Sequence, residues 1–337
     1  MKNVLVTGGA GFIASEFVRM VLSEHPDIFV VNLDKLTYAG NLENLGDFLH
    51  HPSQKFIRGD ICDGPLVEKI IDDYKIDSII NFAAESHVDR SILEPKAFIE
   101  TNITGTLTLL EAARDKNIQR FIQISTDEVY GALGPEGKFT EDTPLSPNSP
   151  YSASKAAADH LVKAFGHTWG IKYNITRCSN NYGPYQFPEK MIPLMINNAL
   201  IDKKLPIYGD GLYVRDWLYV YDHCTAVWKV LTEAPPGEIY NIGGCNEKTN
   251  LEIVAMILQR LNKPDSLIEH VTDRPGHDRR YAIDATKIIE QLNWHPTVNL
   301  EEGINKTIDW YLQNTEWLNN VVSGEYQKYY DKMYKNR

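Results

Sequence analysis

The sequence contains few cysteines and no long apolar run. Its 337 residues include four cysteines, which are far apart and show neither a Cys-x-x-Cys pair nor metal-ligand spacing: Cys62, Cys178, Cys224 and Cys245. This pattern is typical of free thiols in a reducing compartment, and it predicts neither a disulfide framework nor a metal site. No apolar stretch reaches the length of about 18 residues that a membrane span needs, and the first run, residues 4–6, is too short for a secretory signal. We therefore expect a cytoplasmic protein that does not enter a membrane.

Clusters of basic residues are also missing. Acidic side chains outnumber basic ones by 45 to 34, and the net charge is −11. Binding to a phosphate backbone requires clustered Lys and Arg, so we expect no nucleic-acid partner. The hydrophobic content of 43% and the charged content of 23% are ordinary for a globular protein and argue against disorder.

Short β-branched runs alternate with helical patterns in the first half of the chain. The strand-like runs are residues 3–7, 28–33, 55–59, 78–82, 120–125 and 173–178, and the helical patterns are 12–23, 65–74, 95–115 and 152–169. This alternation predicts an α/β protein with a Rossmann-type, doubly wound parallel sheet.

Proline and glycine become frequent after about residue 180. Helical patterns occur at 188–203 and 250–261, and residues 238–242 read as one more strand. We predict a cofactor-binding domain over residues 1–179 and a smaller, loop-rich substrate lobe over 180–337. The segment at about 215–247 is expected to return to the first domain.

A glycine-rich turn follows the first strand. Gly9, Gly11 and Ala14 form a Gly-x-Gly-x-x-Ala pattern at the start of a helical stretch. Glycines let a pyrophosphate approach the backbone, and the helix N-terminus offers unpaired N–H groups. Asp34 follows Ala14 by twenty residues, at the end of the second strand, where a carboxylate accepts hydrogen bonds from a ribose 2′-hydroxyl and repels a 2′-phosphate. NAD is therefore favoured over NADP.

Tyr151 and Lys155 lie four residues apart at the start of a helical pattern, so they share one helix face. A tyrosine has a pKa near 10, and lowering it by about three units requires about 4 kcal/mol. One cation about 4 Å away, at an effective dielectric constant near 20, supplies about that much. We predict that Lys155 and a positive nicotinamide ring together make Tyr151 the base for a hydroxyl group that loses its hydride.

Asp127 and Glu128 directly follow the fifth strand-like run. Removal of water needs an acid for the leaving hydroxyl and a base for a carbon-bound proton, and two carboxyls can divide these roles if their pKa values differ. Consecutive strand residues point to opposite faces, so the two side chains converge only if the strand has ended before them.

Six segments resemble the extended short-chain dehydrogenase/reductase family, and within it the nucleotide-sugar 4,6-dehydratases: residues 7–13, 81–91, 125–131, 151–155, 177–184 and 209–217. The resemblance implies oxidation of a sugar at C4, elimination across C5 and C6, and return of the hydride to C6, with dTDP-glucose as the expected substrate and tightly bound NAD. The implied catalytic residues are Thr126, Asp127, Glu128, Tyr151 and Lys155.

Binding residues are also expected. For NAD they are Gly8, Gly11, Phe12, Ile13, Asp34, Lys35, Thr37, Asp60, Ile61, Ala83, Ala84, Thr101, Ser125, Tyr151, Lys155 and Asn181. For the nucleotide-diphosphate sugar they are Ser86, His87, Thr126, Asn180, Glu189, Lys190, Pro206, Ile207, Tyr208, Arg215, Asn250, Arg274 and His277. Arg279 and Arg280 compete with Arg274 for the diphosphate. The resemblance also implies a homodimer with an interface on the helices at 95–115 and 152–169.

Other nucleotide-sugar enzymes remain open at this point. A 4-epimerase needs no acid for a leaving hydroxyl, and UDP-glucuronate decarboxylases typically carry Ser-Glu where Asp127 and Glu128 stand. A UDP-glucose 4,6-dehydratase shares the Thr-Asp-Glu triplet and is the closest alternative. A catalytically inactive NAD sensor on the same fold is the alternative outside the enzymes.

Overall fold

The computed structural model describes residues 1–322. The strands are β1 (Asn3–Thr7), β2 (Phe29–Asp34), β3 (Gln54–Arg58), β4 (Ser78–Asn81), β5 (Arg120–Thr126), β6 (Tyr173–Cys178), β7 (Asn180–Tyr182), β8 (Leu205–Tyr208), β9 (Val214–Tyr219), β10 (Ile239–Ile242), β11 (Glu247–Thr249) and β12 (Ile268–Val271).

The helices surround these strands. They are α1 (Phe12–Glu24), α2 (Gly64–Tyr74), α3 (Val88–Leu93), α4 (Pro95–Phe98), α5 (Thr106–Asp115), α6 (Pro150–Trp169), α7 (Met191–Leu200), α8 (Val220–Glu233), α9 (Asn250–Leu261), α10 (Thr286–Leu292), α11 (Leu300–Gln313) and α12 (Thr315–Val321). Three 3₁₀ segments cover Leu42–His50, Asp127–Tyr130 and Asp265–Leu267, and a π-helix covers Ile99–Gly105. Within residues 1–322, no helix is long and apolar enough to cross a membrane.

The largest sheet of the described chain has seven strands in the order β10-β6-β5-β4-β1-β2-β3. Each neighbouring pair is parallel, and Leu5 of β1 lies between Val31 of β2 and Ile79 of β4. The strand order reverses between β1 and β4, which creates the crevice where ligands bind in doubly wound sheets. The predicted Rossmann-type fold is confirmed.

Helices cover both faces of this sheet because successive strand residues point to opposite sides. Val4 and Val6 pack with α1, α8 and α10 on one face. Leu5 and Val31 pack with α2, α5 and α6 on the other. Burial on both sides explains why runs such as residues 78–82 are mainly apolar.

A second core lies in the C-terminal part of the chain, where α7, α9, α11 and α12 pack together with β8 and β9. Two small sheets accompany it, in the orders β11-β9-β7 and β12-β8. Within the segment that was expected to return, β10 pairs with β6 and α8 packs on the face of α1, whereas β9 and β11 belong to a small sheet. The end of the predicted lobe, residues 323–337, lies outside the described residues.

Residues 95–115, where the sequence shows a helical pattern, are helical throughout, but they do not form one α-helix. The segment contains α4, the π-helix and α5. The buried Asn102 amide in the π-helix donates hydrogen bonds to Glu85 O at 3.0 Å and to Ser154 Oγ at 2.8 Å, and its Oδ1 accepts one from Glu85 N at 2.9 Å. These contacts tie the helix to the loop after β4 and to α6, and π segments of this kind are frequent at functional sites.

Candidate active site

A cavity opens at the carboxyl ends of β1, β2, β4 and β5, where the strand order reverses. All the residues predicted to bind NAD line this first cavity: Gly8, Gly11, Phe12, Ile13, Asp34, Lys35, Thr37, Asp60, Ile61, Ala83, Ala84, Thr101, Ser125, Tyr151, Lys155 and Asn181. The fold thus brings together side chains that are as far as 173 positions apart in the sequence (181 − 8).

The glycine turn packs closely against the end of β4. Gly8 has a φ of +70°, and a Cβ atom there would lie 2.8 Å from the backbone N and Cα of Ala83. Gly11 caps α1 without a side-chain hydrogen bond. The first N–H groups of the helix are therefore available for an anionic group.

Asp34 is held at the end of β2 by the backbone. Its two carboxylate oxygens accept hydrogen bonds from Ala10 N at 2.9 Å and Leu36 N at 2.7 Å. Burial raises the pKa of this carboxyl, and the two backbone donors partly offset that effect. Next to it, Lys35 forms a 2.6 Å ion pair with Asp60, so two predicted cofactor residues contact each other.

The two adjacent carboxyls lie just beyond the strand. β5 ends at Thr126, and the 3₁₀ turn Asp127–Tyr130 begins directly after it, with the Thr126 hydroxyl accepting a hydrogen bond from Glu128 N at 3.3 Å. The alternation of the strand has therefore stopped before the pair. Asp127 and Glu128 both line the first cavity, which meets the geometric condition set by the sequence.

The surroundings of the two carboxyls differ in charge. Burial raises the pKa of Asp127 well above its usual range, and the negative charges of Glu128 and Asp216 raise it further. Burial also raises the pKa of Glu128, but Arg274, Lys190 and Arg215 oppose this effect. The protonated form is thus favoured more strongly at Asp127 than at Glu128.

Tyr151 lies in the first turn of α6, after a capping box formed by Ser149 and Ser152. Burial, followed by the charge of Glu128, raises the pKa of the phenol well above its usual value. The buried Lys155 ammonium donates a 2.6 Å hydrogen bond to Ile124 O. The predicted lowering of the Tyr151 pKa by Lys155 together with the nicotinamide ring stays a prediction, because it includes the charge of that ring.

A second cavity adjoins the first. Of the residues predicted to bind the substrate, Ser86 and Thr126 line the first cavity. The others line the second cavity: His87, Asn180, Glu189, Lys190, Pro206, Ile207, Tyr208, Arg215, Asn250, Arg274 and His277. Glu128, Asn180, Glu189 and Lys190 line both cavities. Glu128, one of the two carboxyls predicted to be catalytic, thus stands where the two spaces meet.

Two arginines supply positive charge to the second cavity. Arg215 is buried and donates to the backbone carbonyls of Val214 at 2.7 Å and Asp278 at 2.9 Å. Arg274 forms a 3.0 Å ion pair with Asp89, which lowers the pKa of that carboxyl against the effect of burial. Neither guanidinium is neutralised by more than one carboxylate in these contacts, so both retain donors for an anion.

The competing arginines lie elsewhere. Arg279 pairs with the exposed Asp210 at 2.7 Å, Arg280 pairs with Glu247 at 2.7 Å, and neither lines a cavity. Tyr281 is buried in a small core, with Arg215 4.4 Å above its ring. It forms core rather than pocket wall.

Several cavity residues were missed by sequence reasoning. Asp89 lines the second cavity and binds both Arg274 and the Tyr208 hydroxyl, the latter at 2.7 Å. Arg90 lies outside both cavity linings but forms a 2.9 Å ion pair with the predicted residue Glu189. Residues 89 and 90 follow β4 closely, and their place after a strand end is the signal that could have found them. Gln186, Phe187 and Trp217, which also line the cavities, carry no comparable signal.

A metal cluster is not found in the described part of the chain: no group of three or more His, Cys, Asp or Glu side chains there is placed to hold an ion. The histidines that line the second cavity have other contacts. His277 binds Asp273 at 2.7 Å, and burial, as the largest cause, lowers its pKa to about 4. His277 is therefore neutral near pH 7.

Comparison with known proteins agrees with this geometry. The family model described as GDP-mannose 4,6 dehydratase matches residues 5–307. A dTDP-glucose 4,6-dehydratase of Xanthomonas campestris pv. campestris is 54% identical, with 97% of this chain and 98% of the relative covered.

Two solved structures have the same fold over nearly the whole chain. The dTDP-glucose 4,6-dehydratase of Bacillus anthracis in complex with NAD has a TM-score of 0.90 at 50% identity and covers 95% of this chain and 100% of its own. That of Streptomyces venezuelae with NAD and TYD bound has a TM-score of 0.92 at 47% identity, with 95% and 99% covered. The chain therefore belongs to the extended short-chain dehydrogenase/reductase family, in the group of the dTDP-glucose 4,6-dehydratases.

Proposed function

We propose that this protein is an NAD-dependent dTDP-glucose 4,6-dehydratase, a hydro-lyase that converts dTDP-glucose to dTDP-4-keto-6-deoxyglucose and water. The observation that carries the proposal is the pair Asp127 and Glu128, which lie in a turn beyond β5 in the cavity that Tyr151 and Lys155 also line. Close relatives bear the name of this activity.

The first cavity fits NAD. The close approach at Gly8, the uncapped N-terminus of α1 and the fixed carboxylate of Asp34 match a pyrophosphate and a ribose diol. We assign NAD contact to the residues predicted above, and their position around one cavity supports this. The cofactor, when bound, supplies hydride chemistry at C4 and C6 of the sugar.

Proton transfers fall to residues of this chain. Tyr151, assisted by Thr126 and Lys155, takes the proton of the C4 hydroxyl. The C4 ketone then acidifies the C5 proton, which Glu128 removes, while Asp127 protonates the departing C6 hydroxyl. The opposite effects of charge on the two carboxyls support this division, because the acid must hold a proton when the base has none.

The second cavity is our proposed site for the nucleotide diphosphate. Arg215 and Arg274 suit phosphate oxygens because a guanidinium offers paired donors. Lys190 lies between the cavities and donates a 2.8 Å hydrogen bond to Ser86 O, which holds its charge near Glu128. The other substrate contacts that we propose are those predicted above, all of which line one of the two cavities.

Turnover tests the proposal. Purified protein without added cofactor is expected to convert dTDP-glucose to the 4-keto-6-deoxy sugar, with solvent deuterium incorporated at C5. UDP-glucose, assayed side by side, is the control for the nucleotide. No product from either sugar nucleotide would refute dehydratase activity, and preference for UDP-glucose would correct the substrate.

We also propose a cytoplasmic homodimer in which residues 1–179 hold NAD and the later part of the chain holds the sugar nucleotide. Large apolar side chains are exposed on the helical side that was predicted as the interface, with Ile99 49% and Trp169 51% exposed. Exposed apolar surface of this kind marks interaction sites. Sedimentation analysis of the full chain measures the assembly, and a monomer at micromolar concentration would contradict it.

A further inference from the structure

A buried ion pair lies outside both cavities. Arg177 Nε donates to Asp159 Oδ2 at 3.0 Å, and the side chains are 2% and 0% exposed. Neither residue lines a cavity, and neither has a role in the chemistry described above. Removing two charges from water costs nearly as much as their attraction returns, so stability alone is a weak reason for such a pair.

The pair is adjacent to the proposed base. Asp159 lies four residues after Lys155 on α6, so the two side chains share one face of the helix. Arg177 is on β6, where it lies opposite Ser125 in the register with β5. Ser125 lines the first cavity, and its hydroxyl lowers the pKa of Asp159.

A third contact connects the pair with the two catalytic carboxyls. Arg177 Nη1 donates to the Tyr130 hydroxyl at 3.0 Å, and that hydroxyl donates to Asn241 Oδ1 at 2.7 Å. Tyr130 is the last residue of the 3₁₀ turn that contains Asp127 and Glu128. One guanidinium therefore joins the turn with the acid and base to the helix with Tyr151 and Lys155.

We propose that Asp159 is a positioning residue whose carboxylate, held by Arg177, keeps the buried Lys155 ammonium protonated beside Tyr151. The inference rests on the proposed dehydratase function, in which Lys155 assists Tyr151. A protonated Lys155 stabilises a phenolate at Tyr151, whereas a neutral amine does not.

The charged groups around Lys155 support this role. Asp159 acts on Lys155 from α6 and Cys178 acts on it from β6, where Arg177 pairs with Asp159; Glu128 and Asp127 act on Tyr151 from the 3₁₀ turn. Burial lowers the pKa of Lys155, and Asp159 is the largest opposing cause. The Cys178 thiol has its pKa raised by burial to about 12 and is neutral at assay pH. Burial raises the pKa of Asp159 as well, and the charge of Arg177 is the largest cause that lowers it, so the ion pair with Arg177 favours the ionised carboxylate that acts on Lys155.

The test is the pH dependence of kcat/KM for dTDP-glucose in the full chain. Loss of the Lys155 proton ends activity on the alkaline side, so Asp159→Asn is expected to move the alkaline limb to lower pH by one unit or more. Activity near pH 6 should change much less than activity near pH 9. Asp159→Glu keeps the charge and should keep the limb close to its wild-type position.

A double variant, Asp159→Leu with Arg177→Met, provides a second test in case Asp159→Asn does not fold. Replacement of a buried ion pair by apolar side chains is often tolerated. The double variant should show the same alkaline shift. An unshifted limb in a folded variant, or loss of folding in both variants, would overturn the inference and leave the pair a structural role. Absence of wild-type turnover would instead refute the proposed function.

Discussion

Replacement of Asp127 by Asn is expected to slow the elimination step and to change how the stability of the protein depends on pH. The side chain is 1% exposed, and burial together with Glu128 and Asp216 favours its protonated form. Asn keeps the shape but cannot protonate a leaving hydroxyl. We expect elimination to slow by about 10²–10⁴-fold, the usual contribution of a general acid. Oxidation at C4 depends on Tyr151 and should continue, so absorbance of the reduced nicotinamide should accumulate on addition of dTDP-glucose.

The same change alters how stability depends on pH. The folded pKa of Asp127 is raised above its ordinary value of 3.8, so between these two values the carboxyl releases its proton on unfolding. The free energy of unfolding of the wild type then falls as pH rises, by about 1.4 kcal/mol per pH unit for this one group. Asp127→Asn has no carboxyl at this position, so its free energy of unfolding does not fall with pH in this way. Its stability relative to the wild type should increase as the pH rises above 3.8.

The shift is measurable as a melting temperature. An unfolding entropy of about 2.1 cal/mol/K per residue gives about 0.7 kcal/mol/K for a chain of 337 residues, so 1.4 kcal/mol corresponds to about 2 °C. Calorimetry at two pH values with NAD at one fixed concentration gives the difference. Asp47→Asn, at an exposed carboxyl, is the matched control and should show no gain. An equal difference at both pH values, or unchanged elimination, would refute the reasoning.

Three further substitutions test the rest of the site. Glu128→Gln should abolish exchange of solvent deuterium at C5 and slow product formation by about 10²–10⁴-fold, as measured by mass spectrometry of the product; rapid deuterium incorporation would remove its role as base. Asp34→Asn should lower the NAD content of the purified protein and weaken the discrimination against NADP, since the negative charge is lost; unchanged binding of both cofactors would contradict this. Gly8→Ala should lose bound NAD and about 1–3 kcal/mol of stability, because the methyl group would meet the Ala83 backbone at positive φ. Gly134→Ala, where no atom lies within 4 Å of the added Cβ, is its control, and equal losses in both would argue against the steric reason.

The central sheet was predictable because its strands are buried on both faces. Residues 78–82 are predominantly apolar, and β4 lies within the predicted run, with each of its residues buried. β1 and β6 have the predicted limits. Short strands such as β7 and β11 were not predicted, since three residues carry no usable period and form only against β9.

The π-helix at Ile99–Gly105 was not predictable for a related reason. Its sequence continues the helical pattern of residues 95–115, and no residue type in that stretch indicates the wider turn of a π-helix. The deviation accompanies contacts of Asn102 with Glu85 and Ser154, which are 17 and 52 positions away. Tertiary hydrogen bonds of this kind override local helical preference, and they became visible only with the fold.

The same distinction applies to Asp127 and Glu128. The sequence shows that the two carboxyls are adjacent, and strand geometry requires β5 to end before them. The sequence does not show which carboxyl is the acid and which the base, because that division arises from distant side chains. Arg274 and Lys190 favour the charged form of Glu128, whereas Asp216 disfavours the charged form of Asp127. Positive charges thus oppose the effect of burial at Glu128, whereas a negative charge adds to it at Asp127. A change at Arg274 or Asp216 should therefore alter the acid–base division without touching either catalytic residue.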